Sequence, residues 1–188
     1  MADPSSPTGV APDRSVHVVV SDEQNEVPVD ADRWAALAVA ALLAEGCVGE
    51  LTLTFVDRAE MAELNAEHMG EDGPTDVLSF PLDPFGGDAP GPSLIGDLVI
   101  CPAVAAESAP DHAGNLDDEL ALLTVHGVLH ICGHDHADPD EAASMRERER
   151  ALLVELHWGG PAPAGFRQVH DEPDGDEPDA TGSTEVGA

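Results

Sequence analysis

Apolar residues along this chain follow two rhythms, a period of two in short β-branched runs and a period near 3.6 in longer Ala- and Leu-rich ones. Val16 to Val20 is a β-branched run that predicts a first strand, and Leu51-Thr52-Leu53-Thr54-Phe55 alternates strictly, as a half-buried strand does. Between them Trp34, Leu37, Ala38, Ala41 and Leu42 recur at helical spacing behind Asp30, an N-capping residue, and Gly46 ends the run. Asp57 with Glu60 forms a capping box for a short helix ending near Met69. Gly73-Pro74 then breaks the chain before a short strand, Asp76 to Pro81. Leu82 to Ser93, dense in Gly, Pro and Asp, reads as a loop, and Gly96 to Cys101 is apolar enough for a strand inside a sheet. A helix opens at Ala103 to Glu107, and another starts at about Asp117. The last begins at Asp138-Pro139, where an N-cap precedes a proline at the first helical position, and runs through Met145, Leu152, Leu153 and Leu156.

A helix between the first two strands, and strands mixed with helices thereafter, predict an α+β fold: one domain with a small mixed β-sheet packed with helices. All of these elements fall within residues 15–158. Residues 1–14, rich in Pro, Ser and Asp, are expected to be a disordered lead-in, and 159–188, Gly/Pro-rich and then acidic, a disordered tail. A chain of 188 residues supports one such core and not comfortably two.

One helix carries chemistry. His126 and His130 are four residues apart and project from one helix face; Gly133 can take the left-handed conformation that ends a helix, and the chain can then return His136 to the same point. Paired histidines at this spacing also occur on solvated helix faces. Here Leu122, Leu123, Val125, Val128, Leu129 and Ile131 make the helix apolar and hence buried, and a buried polar group without a partner costs roughly 1–3 kcal/mol. A metal satisfies both imidazoles. Three histidines with a fourth position open to water are the coordination of a catalytic zinc, so the spacing H-x-x-x-H-x-x-G-x-x-H predicts one Zn²⁺ on His126, His130 and His136. In zinc peptidases of the H-E-x-x-H type a glutamate follows the first histidine as general base. This chain has Gly127 there, which disfavours peptide hydrolysis.

Composition narrows the setting. Aromatic residues are few and Tyr is absent, so Ala, Val and Leu must fill the core, and seven basic residues against 38 acids leave a net charge of −31. Such a charge repels polyanions at long range and argues mildly against a nucleic-acid role. The acidic end of the chain holds seven acids and no Arg or Lys, so without it the charge would still be −24. Cys47, Cys101 and Cys132 show no C-x-x-C spacing, and Cys132 points away from the histidine face, which assigns it to packing. The first residues lack a basic stretch followed by an apolar one, and the apolar run from Trp34 to Ala44 is too short for a membrane span. A cytoplasmic protein without a membrane partner is expected.

Two segments together resemble the YbeY endoribonuclease family of bacterial ribosomal-RNA maturation factors. His126-Gly127-Val128-Leu129-His130-Ile131-Cys132-Gly133-His134-Asp135-His136 is similar to the family's H-G-x-L-H-x-x-G-[YH]-D-H. Leu64-Asn65, Pro74-Thr75-Asp76-Val77-Leu78-Ser79-Phe80-Pro81 and Ile95-Gly96-Asp97-Leu98-Val99-Ile100 agree in order and spacing, over roughly residues 16–157. The resemblance implies a zinc-dependent, single-strand-preferring endoribonuclease acting in small-subunit ribosomal-RNA processing and ribosome quality control. Its partners would be RNA and the ribosome, and no DNA.

Carried over by position, His126, His130 and His136 look like the zinc ligands, and Thr75, Asp76 and Ser79 like the family's pocket wall, or else a turn and an edge strand. His134 suits either proton transfer or a plain loop position. Asp135 suits either a hydrogen bond to a ligand imidazole or a cap on the turn. Many family members carry an aromatic-Arg pair where this chain has His68-Met69, so the phosphate clamp must lie elsewhere, with Arg58 or Arg146 to Arg150 as candidates. Those arginines better suit ion pairs with Glu147 and other acids on a solvated face. Two rival functions share the zinc: an amide or peptide hydrolase with Glu119 or Asp135 as base, and a non-catalytic ribosome-associated protein stapled by the ion.

Overall fold

The computed structural model describes residues 15–82 and 93–168. The expectations for residues 1–14, for most of the loop after Leu82 and for the acidic end of the chain lie outside the described residues.

The local signals act where the residue chemistry places them. The Asp30 side chain accepts from Arg33 N to start α1 (Ala31–Glu45), and Gly46 ends it at φ 69°, a left-handed conformation that a side chain would strain. Asp57 accepts from Ala59 N and Glu60 N at the head of α2 (Arg58–His68). The strands are β1 (Val16–Asp22), β2 (Gly49–Phe55), β3 (Val77–Pro81) and β4 (Leu94–Ile100). They form one mixed sheet in the order β1-β2-β4-β3, parallel except that β3 runs antiparallel to β4. Three helices follow: α3 (Pro102–Ser108), α4 (Leu116–Ile131) and α5 (Pro139–Leu152).

Side chains alternate across a strand, and β4 divides the core accordingly. Leu98 and Ile100 join Leu51, Leu53 and Phe55 under α1 and α4, while Val99 joins Val56, Met61 and Leu78 in a smaller cluster on the other face. Helix α4 is the axis of the larger cluster. From Asp118 to His130 every residue is buried except His126 and His130. Two glycines bring the helix this close to the sheet. A Cβ at Gly127 would lie inside contact distance of Leu98 Cδ1 and 3.0 Å from its Cδ2, and one at Gly96 would meet Ile131 Cδ1 and sit 2.8 Å from Phe80 O.

The last helix departs from the expected regular α-helix. From Leu153 to Trp158 it widens into a π-helical stretch. The wider turn carries His157 and Trp158 to the buried head of α4, with His157 Nε2 2.8 Å and Trp158 Nε1 2.7 Å from Asp118 Oδ1. Those two bonds satisfy a carboxylate that burial would otherwise penalise. Residues 159–168, expected to belong to the disordered tail, instead lie against the domain: the Phe166 ring packs edge-on to Trp158 with centroids 4.7 Å apart, and Arg167 N donates to His112 O at 3.1 Å. No helix among the described residues is long and apolar enough to cross a membrane.

Candidate metal centre

Helix α4 ends at Cys132, and Gly133 takes φ 90°. Gly133 N donates to His130 O at 2.9 Å and His134 N to Leu129 O at 3.0 Å, so the chain reverses within one turn of the second histidine. That reversal brings His136 back beside α4. Its ring centroid lies 5.8 Å from that of His126 and 4.9 Å from that of His130. One ring nitrogen from each of the three falls within 4.8 Å of the other two.

Hydrogen bonds to the outer nitrogens decide what the inner ones offer. His126 Nδ1 lies 3.0 Å from Glu149 Oε1, and His130 Nδ1 lies 3.1 Å from the carbonyl oxygen of His134. A carboxylate and a carbonyl only accept, so both Nδ1 atoms carry the proton and both Nε2 atoms present a lone pair. Those two Nε2 atoms are 3.1 Å apart. Two acceptor nitrogens so close repel unless a proton or a metal ion lies between them. The donor set therefore fits a metal: neutral imidazoles, fixed tautomers, and a third nitrogen alongside.

Burial keeps His130 neutral. It lowers the pKa of His130 from 6.5 to about 4, with the neighbouring His126 and His136 adding to the shift. Below 6.5 the unfolded chain takes a proton that folded His130 refuses, so the unfolded state binds more protons and stability falls as the pH is lowered. Metal-free protein is expected to keep this contribution above pH 6.5 and to lose it progressively towards pH 4. Chemical denaturation in chelator at pH 7.5, 6 and 5 checks this; equal stability at all three would refute it.

A pocket of about 300 Å³ opens over the three histidines, and Thr75, Asp76 and Ser79 line it together with Met69. The other candidates lie elsewhere. His134 turns outward to Glu45, 2.9 Å away, and Glu45 also accepts from Arg148 Nε at 2.6 Å. Asp135 is exposed and caps the turn, accepting from His136 N at 2.7 Å. Arg58 is held by Glu107 at 2.8 Å and by Ala103 O at 2.9 Å. Neither Arg58 nor any of Arg146, Arg148 and Arg150 lines the pocket. Glu119 is 0% exposed and accepts from Ala113 N at 3.1 Å, so it serves the backbone and leaves the hydrolase rival without that base. Cys132 is outside the ligand group, and burial with the neighbouring Cys47 thiol pushes its own thiol pKa up. A thiol so resistant to ionisation suits packing.

Two residues at the site escaped the sequence reading. Glu149 is 3% exposed and sets His126; Gln168 Nε2 donates to the other Glu149 oxygen at 2.7 Å. Glu149 carried a signal. It falls in register with Met145 and Leu152, the buried stripe of α5, where an acid must have a partner. Gln168, far from any periodic element, carried none.

Comparison with known proteins adds the family context. The family profile described as Endoribonuclease YbeY matches residues 19–157. The Endoribonuclease YbeY of Beutenbergia cavernae is 46% identical over 142 residues, 71% of this chain and 95% of the relative. That of Thermobifida fusca is 44% identical over 141 residues, again 71% of this chain and 91% of the relative. Among solved structures, the solution structure of TM1509 from Thermotoga maritima superposes with a TM-score of 0.54 at 23% identity, covering 77% of this chain and 89% of that one. This last likeness concerns the fold.

Proposed function

Because the chain belongs to the Endoribonuclease YbeY family, we propose that it is a zinc-dependent endoribonuclease. Its substrate in this reading is single-stranded RNA, its role the maturation of small-subunit ribosomal RNA and ribosome quality control. Its partner is the ribosome and its place of action the cytoplasm. One observation carries the reading: two inward-facing Nε2 lone pairs 3.1 Å apart, on the floor of an open polar pocket.

His126, His130 and His136 would hold the ion. Zinc held there would supply a Lewis acid for a phosphate oxygen and lower the pKa of bound water to about 7. The remaining work falls to the chain. Glu149 holds the His126 ring in its ligating tautomer, and the His134 carbonyl does the same for His130. The Ser79 hydroxyl is a neutral donor for phosphate or ribose oxygens at the wall, while the Thr75 hydroxyl donates to Asp76 Oδ1 at 3.3 Å. Asp76, beside them, is an acceptor suited to a 2′-hydroxyl. Met69 occupies the wall where an arginine would have met phosphate, and among the described residues no Arg lines the pocket. With a net charge of −31 besides, RNA affinity should be weak and depend mostly on pocket contacts.

Elemental analysis of purified protein paired with cleavage assays tests the proposal. About one zinc per chain is expected, with cleavage of single-stranded RNA, none of casein, and loss of activity in chelator. Cys132→Ser should retain most activity. A Cys132→Ser protein that folds but is inactive would sink the three-histidine assignment; casein cleavage would favour the hydrolase rival; zinc without either activity would leave the staple.

A further inference from the structure

The family profile ends at His157, yet the described chain continues to Gln168 and returns to the metal centre. Trp158 anchors the return through Asp118, Phe166 packs on Trp158, and Arg167 N bonds to His112 O. These contacts deliver one side-chain amide to α5. Gln168 Nε2 donates to Arg146 O at 2.9 Å and to Glu149 Oε2 at 2.7 Å.

Glu149 is nearly closed to water, and each of its oxygens has one designated partner. Oε1 faces His126 Nδ1 at 3.0 Å, and Oε2 faces Gln168. A carboxylate held at one oxygen alone can swing about its Cγ–Cδ bond. Held at both, it fixes the plane in which the imidazole N–H must lie. The direction of the His126 Nε2 lone pair then follows, because the ring is rigid. We infer that Gln168 is a positioning residue of the metal centre, acting through Glu149 on His126, and that the segment beyond the family's common core completes the shell around the ligand.

The inference rests on the zinc reading above and deepens it. Removing the Gln168 donor is expected to weaken zinc binding about tenfold, the low end of the effect of outer partners of metal ligands. Two full-length variants separate positioning from packing. Gln168→Met keeps the length and bulk of the side chain and removes the donor; Gln168→Glu sets a second carboxylate against Oε2. Zinc affinity would be measured by competition with a chromophoric chelator, beside the melting temperature of the metal-free protein and the Nδ1 proton resonance of His126 in the zinc-loaded one. The expected result is weaker zinc binding in both variants, more so in Gln168→Glu, with a shifted His126 resonance and a metal-free melting temperature within a few degrees of the parent. Unchanged zinc affinity overturns the inference, whether or not the melting temperature falls, since a mere latch would touch only stability. Parent protein that takes up no zinc overturns the metal reading as well, whereas zinc-binding parent with unaffected variants overturns only the role of Gln168.

Discussion

Replacing His130 with alanine is expected to remove zinc and RNA cleavage together. His130 is the middle donor, with its Nε2 3.1 Å from that of His126 and its ring between the other two in contact. Where a protein site binds zinc with about 10–16 kcal/mol, losing one of three ligands takes away on the order of a third. Occupancy during purification should then be negligible, and the melting temperature in the presence of zinc should fall to that of the metal-free form. The metal-free variant should behave differently. It no longer carries the imidazole whose pKa is lowered to about 4, so its stability should fall less steeply than that of the parent between pH 6.5 and 4. Zinc content and denaturation in chelator measure both effects. Full zinc occupancy in the His130→Ala protein would show that the ion sits elsewhere.

Introducing the peptidase glutamate, Gly127→Glu, is expected to abolish folding where the motif alone would suggest a gained base. Residue 127 is buried against β4, and even a single added carbon would collide with the Leu98 side chain, which is itself 0% exposed. Overpacking of this kind costs about 1–3 kcal/mol. A carboxylate buried without a partner costs several kcal/mol more, or forces its protonation. Together these approach the roughly 5–15 kcal/mol that holds a domain folded. The measurement is soluble yield and far-ultraviolet circular dichroism, with Gly127→Ala as the milder step. A folded Gly127→Glu protein that cleaves casein would reverse the argument.

The same glycine shows how much could be read beforehand. Gly127 announced in sequence that the peptidase base was missing; only the packing of α4 on β4 shows why the position cannot hold one. The clustering of the three histidines was legible because helix period and a glycine turn are local properties. So was the mixed sheet, since a helix between two strands makes the parallel pairing of β1 with β2 the short connection. Contacts between distant segments were not. Glu149 meets His126 across 23 positions and His134 meets Glu45 across 89. Nothing in a linear pattern says that an outward turn at His134 will find an acid at the end of α1. The π-helical stretch was hidden for the same reason. Its apolar residues suit an α-helix, and the demand that widens it, the Asp118 carboxylate, comes from another helix.

The three clustered imidazoles lie within eleven consecutive residues, and so does the His134 carbonyl that faces His130, while Glu149 and Gln168, on the His126 side, come later in the chain. Synthesis proceeds from the N-terminus at about 5–20 residues per second, so His136 leaves the ribosome within seconds of His126. Closing a loop of ten residues takes about 10–100 ns. A nascent chain that has formed α4 on the finished strands can therefore present its three nitrogens before α5 has been made. Glu149 would reach them next and Gln168 last. The centre is thus assembled from its innermost layer outward, and an ion captured early would be sealed in stages as translation ends.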